Sequence, residues 1–165
     1  MARVLLLHIP YRLPRPLHIV VGLHLWTKSG LEVFSMEAKI KHLEFVQAAI
    51  NRMAGNSFLL KGWSVTMTGA LLAVGVKEAD RHYLFISLAV LVLFWSLDGF
   101  YLSRERRFIG LYNHIRKTPE EGVDFSMDPR PYGRKCNWAV SAFSTTLLVF
   151  YGGLLAVQLI LNCFL

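Results

Sequence analysis

The sequence predicts an all-α membrane protein with three transmembrane helices and two short amphipathic helices on one side of the bilayer. Three observations carry this. Apolar residues make up 54% of a chain that also has a net charge of +7, a pairing uncommon in small soluble domains. The excess is collected in three runs after residue 57, and the basic residues are collected between them.

The first 35 residues read as an extension outside the fold. Three prolines fall in seven positions (Pro10, Pro14, Pro16), and the longest apolar piece, Leu17 to Trp26, is ten residues, too short to span a bilayer. No small-residue cleavage site follows it, so a signal peptide is not supported. The histidines at 8, 18 and 24 have neither helical ligand spacing nor a carboxylate or cysteine among them, so no metal is expected. Regular patterning begins just after Met36, which predicts translation from Met36 and a fold covering 36–165.

From Glu37 to Ala54 apolar residues recur as Ile40, Leu43, Val46, Ile50 and Met53, the spacing of one helical face. Gly55 is the expected C-cap, with Asn56 or Ser57 capping the next helix.

The three apolar runs are Phe58–Val76 (19 residues, one charge, Lys61), Tyr83–Ser103 (21 residues, one charge, Asp98) and Trp138–Leu165 (28 residues, uncharged). A hydrocarbon core of about 30 Å needs about 20 helical residues, and helix is the form that pairs every backbone group within the segment. The expected spans are 58–76, 83–103 and 138–163. Trp63, Tyr83, Tyr101 and Trp138 fall near their ends, where amphipathic rings favour the headgroup layer, and Trp95 lies deeper, where it reads as packing.

Eight Lys and Arg precede or open the first run, two lie in the link 77–82, and eight lie in 104–137. The positive-inside rule then places the N-terminus and segment 104–137 in the cytoplasm and the C-terminus outside, in an inner membrane. Arg104, Arg106, Arg107, Arg134 and Lys135 flank the spans and are read as headgroup contacts that set orientation. Lipid accounts for the basic balance, so nucleic acid is not an expected partner. After the second span a stripe of Phe108, Leu111, Tyr112 and Ile115 continues the helix until Thr118-Pro119. An acidic, proline-bearing stretch then leads back to the membrane.

Lys61 and Asp98 are the polar intramembrane candidates. An unpaired acid at the bilayer centre costs about 2.5–3.5 kcal/mol. Both lie toward the same end of their spans, so they can pair at one depth as a structural lock, or line a pore. Small residues form stripes on the first span (Gly62, Thr66, Ala70, Val74, with Gly69 and Ala73 beside them) and on the third (Gly152, Gly153, Ala156), the pattern of close helix contact. With little mass outside the membrane, a homo-oligomer is expected. Arg107 and His114 match a loose Arg-x6-His spacing of HEPN-type nucleases, with histidine as acid or base and arginine as phosphate clamp. That spacing is weakly specific, and a helix-face role for both residues is the plainer reading. No phosphate loop, nucleophile elbow, HExxH or CxxC is present, so no catalytic residue or cofactor is assigned. Cys136 and Cys163 would lie about 40 Å apart along one helix and cannot bridge.

The stretch HLEFVQAAINRMAGNSFLLKGWSVT, the block FWSLDGFYLSRERRFIGLYNHIR and the DFSMD loop resemble the RipA-type octameric membrane proteins over residues 37–163. The resemblance implies a bacterial multi-pass inner-membrane protein assembled as a homo-oligomer, with no catalytic residues. Three functions are weighed: a self-associating membrane protein with a cytoplasmic interaction surface, an oligomeric pore or membrane-disrupting effector, and a membrane-tethered nuclease.

Overall fold

In the structure, a computed structural model that describes residues 16–78, 80–133 and 136–164, every regular element is helical. The elements are α1 (Pro16–Glu78), α2 (Arg81–Lys117), α3 (Trp138–Ala142) and α4 (Thr145–Phe164), with two 3-10 turns, Glu120–Gly122 and Arg130–Gly133, between α2 and α3. Among the described residues three helices are long and apolar enough to cross a membrane, within Glu32–Glu78, Arg81–Lys117 and Thr145–Cys163, which makes this a multi-pass membrane protein. The chain forms two compact units, Met1–Ala38 and Lys39–Leu165. In the first, the expected extension is helical from Pro16 onward, and residues 1–15 lie outside the described residues.

The two amphipathic helices are not separate elements. They are the ends of α1 and α2, which run on from the spans without a break. Gly55 was expected to end a helix and instead sits inside α1. Helical glycine costs about 1 kcal/mol relative to alanine, and a face that stays in register on both sides of it outweighs that. From His42 the inward positions of α1 are 42, 46, 50, 53, 57, 61, 64, 68, 72 and 75, and all are buried or half-buried. Their steps of four, four and three give an 11-residue period, close to the natural twist of a straight α-helix. The inward face is apolar at Val46 and Ile50, polar at Ser57, Lys61, Ser64 and Thr68, and apolar again at Leu72.

Outside the apolar part, Val46 and Ile50 of α1 meet Leu111 and Ile115 of α2, with Leu43, Phe108, Tyr112, Val123 and Tyr132 around them. This small lobe is closed by the 119–133 segment. Lys39 donates to the Thr118 carbonyl (2.8 Å), and the His42 ring meets the Phe125 ring edge-on. Thr118 ends α2 as expected, its N–H returning to the carbonyls of His114 and Ile115. At the other end Asp80 caps α2 by accepting from the His82 N–H (2.9 Å).

The third apolar run is two helices rather than one. α3 ends at Ala142, Phe143 and Ser144 form a turn, and α4 begins at Thr145. Packing explains the break. Gly99 brings α3 so close to α2 that a Cβ there would stand 2.9 Å from that of Ala142. The Ala142 carbonyl accepts from the Trp95 indole (2.8 Å), and the Trp138 indole donates to the Ser96 carbonyl (2.9 Å). Tryptophan donors thus satisfy backbone carbonyls at the crossing, as an apolar surrounding demands. Beyond it Leu91, Leu147 and Tyr151 form a second core. Both cysteines are free.

Candidate functional site

The inward face of α1 carries its polar residues at the depth where α2 presents Asp98 and α4 presents Tyr151, and the three meet. Lys61 Nζ lies 2.6 Å from Asp98 Oδ2. The Ser57 hydroxyl donates to Asp98 Oδ1, and the Tyr151 hydroxyl donates to Oδ2 at 3.1 Å. Lys61 also donates to Ser57 Oγ at 2.8 Å. Asp98 is fully buried, whereas the Lys61 side chain keeps 21% exposure, so the cation retains an outlet that the carboxylate lacks.

Each partner answers a cost. A carboxylate out of water is stabilised by charge-assisted hydrogen bonds to both oxygens. Here Oδ1 has a hydroxyl and Oδ2 has an ammonium and a phenol, so three donors from two neighbouring helices converge on one acid of α2. The arrangement ties α1, α2 and α4 together at one level. Tyr151 is held there by stacking on Trp95, with centroids 6.1 Å apart and planes 11° from parallel. Ser64 is buried one turn from Lys61 and returns its own proton to the Lys61 carbonyl (2.8 Å).

The polar row extends toward the far end of the bundle. Gln158 of α4 donates to Ser87 Oγ of α2 at 2.7 Å, both buried. Thr68 Oγ1 and Gln158 Oε1 are buried without a hydrogen-bond partner. Tyr151, Ser87 and Gln158 were not singled out from the sequence, and Ser57 was read there only as a helix cap. The signal for the role of Ser57 was present in the 57-61-64-68 spacing, since polar residues on one helical face within a span face a protein interior.

The basic residues divide. Arg104 lies over the Phe100 ring, 5.1 Å from its centroid. Arg107 is turned inward, its Nε 3.5 Å from the Cys136 carbonyl and its side chain against Gly133, so it braces the return to α3. Arg106 is half-buried. Arg134 and Lys135 lie outside the described residues. Glu105, beside this cluster, has its carboxyl raised above the ordinary range, chiefly because burial penalises its charge, with Arg106 and Lys61 opposing.

The structure does not bring Arg107 and His114 to one site. His114 packs against Tyr132 and lines a cavity of about 220 Å³ with Asp124, Ser126 and Asp128, of which Arg107 is not a wall. Among the described residues no group of three or more His, Cys, Asp or Glu is placed to hold a metal ion. The small-residue stripes are left uncovered: a Cβ added at Gly62, Gly69, Gly152 or Gly153 would have nothing within 4 Å. No family model, no curated protein and no solved structure matches this chain.

Proposed function

We propose that the chain is a non-enzymatic, multi-pass bacterial inner-membrane protein that self-associates and offers its lobe, Lys39–Met53 with 108–133, as an interaction surface in the cytoplasm. The observation that supports it most is the open glycine face of α1. Lipid gains nothing from a glycine face, whereas another helix approaches closely through it. The Lys61–Asp98 pair supports the same reading, because a carboxylate with both oxygens occupied holds a bundle together. Resemblance to the RipA-type octamers points the same way, and the membrane's anionic lipids are the expected contacts of the basic residues at the span ends.

The mass of the detergent-solubilised complex tests self-association. A defined multiple of 18.8 kDa is expected, and a monomer overturns it. Orientation is tested by a reporter fused after Leu165, which is expected to work only outside the cytoplasm.

One observation favours a second reading, an oligomeric pore or membrane-disrupting effector: buried polar groups continue past the ion pair to Thr68, Ser87 and Gln158. Bilayer conductance or dye leakage that changes in Asp98→Asn would establish it.

A further inference from the structure

Opposite its buried face, α1 carries a second face in the same 11-residue rhythm, and no part of the described chain packs on its glycines. In the lobe this face is one wall of an open groove of about 430 Å³, where Ile40, Gln47 and Asn51 look across to Tyr112 of α2. In the apolar part the same line of positions is Gly55, Phe58, Gly62, Thr66, Gly69 and Ala73, every one of them exposed. The face runs about 50 Å, at 1.5 Å per residue, from the lobe through the headgroup level into the span.

Three properties of this face identify what covers it. It lies partly in water and partly in lipid, so neither a soluble partner nor acyl chains alone can cover it. A helix with an equal extension beyond its span, running in the same direction, can, and a second copy of this chain has that form. Next, the line carries no charge between Glu44 and Lys77, and Glu44 is itself paired with Lys41 in its own chain at 2.8 Å. When two parallel copies meet across a two-fold axis each residue faces its own counterpart. Like charges would repel there, while amides donate and accept and so suit one another. Gln47 and Asn51 are such amides, joined along the helix at 3.1 Å. Finally, the face has the relief for it. Phe58, 76% exposed, is flanked one turn away on each side by Gly55 and Gly62, where a side chain would meet nothing, so a ring from one copy enters the hollow of the other.

We propose that α1 pairs in parallel with α1 of a second copy along this face, from the amide groove in the lobe to Ala73 in the membrane. This rests on the self-association proposed above and names its surface. The test is disulfide cross-linking of the full chain in native membranes, with Cys136 and Cys163 replaced by serine and one cysteine introduced at a time. Gln47→Cys, Gly62→Cys and Gly69→Cys are expected to give dimers on oxidation, because a disulfide requires Cβ atoms about 4 Å apart. Leu93→Cys on α2 and Val149→Cys on α4, both exposed, are expected to stay monomeric. Adding Gly62→Leu to Gln47→Cys is expected to lower its dimer yield at least about fivefold, since one face carries both positions, while Gly152→Leu leaves it unchanged. Dimers from Leu93→Cys or Val149→Cys but from none of the α1 positions overturn the inference. If the solubilised complex is a multimer and no α1 position cross-links, the surface is wrong and self-association stands. A monomer overturns both.

Discussion

The Tyr151 hydroxyl reaches Asp98 Oδ2 at 3.1 Å from the helix across the bundle, on the same oxygen that Lys61 approaches at 2.6 Å. The acid of α2 is therefore shared between a cation on α1 and a phenol on α4. Removing one partner and removing the pair then have different consequences. Lys61→Met leaves a buried carboxylate without its cation and is expected to lower stability by about 3 kcal/mol. The double variant Lys61→Met with Asp98→Leu is expected to regain most of that, because an apolar pair of similar volume is often neutral. Thermal unfolding in detergent of both singles and the double measures the coupling.

Glycines that look alike in the sequence are expected to behave oppositely. A Cβ at Gly99 would press on Ala142 at 2.9 Å, so Gly99→Ala is expected to destabilise by about 1–3 kcal/mol through overpacking. Gly152 has open space, and Gly152→Ala is expected to stabilise α4 by up to about 1 kcal/mol. Unfolding of the two variants side by side checks the contrast.

The lobe depends on four apolar side chains. Ile115 is 2% exposed among Val46, Ile50 and Leu111, and Ile115→Ala is expected to cost about 2–4 kcal/mol. Because Val123 packs on this cluster, limited proteolysis should cut faster within 119–129, while fragments containing the spans stay intact.

Asp80 gives an acid-side dependence. Its carboxyl is held below the ordinary aspartate range, first by the His82 N–H and then by the His82 ring. A lowered value in the folded state means its contribution is complete above the unfolded value near 3.8 and fades as pH falls through the folded one. Hydrogen exchange of the His82 amide should be protected at neutral pH, speed up below about pH 4 relative to its neighbours, and lose protection at every pH in Asp80→Ala.

Glu105 runs the other way. Burial raises its carboxyl, so the folded state favours the protonated form, and stability is greatest below the unfolded value of 4.5 and falls as pH rises through the folded one. Glu105→Gln is expected to flatten this slope and to unfold at the same or a higher temperature than the parent at pH 7, read from melting curves at pH 4 and pH 7.

The three apolar runs were legible because lipid leaves a backbone one economical form, and length and hydropathy then suffice. The Lys61–Asp98 pair was legible for a related reason: each is the single charge of its run. Ser57 was misread as a cap because Gly55 looked like a helix end, and Tyr151 was hidden in a run with no charge. The break at Phe143–Ser144 has neither proline nor glycine to announce it. It is imposed from outside by Gly99 and Trp95 of α2, and such a constraint is invisible in the broken segment itself. Gly62 and Gly99 have equal weight in a sequence, and only their neighbours separate an open face from a packed crossing.

The absence of a joint at Gly55 has a mechanical consequence. From Val46 to Lys61 α1 is one uninterrupted rod of about 22 Å, clamped to Ile115 at one end and to Asp98 at the other. With no break between them, the rotational register of Val46 on α1 sets that of Lys61, so the lobe core and the buried carboxylate are read by one face of one helix.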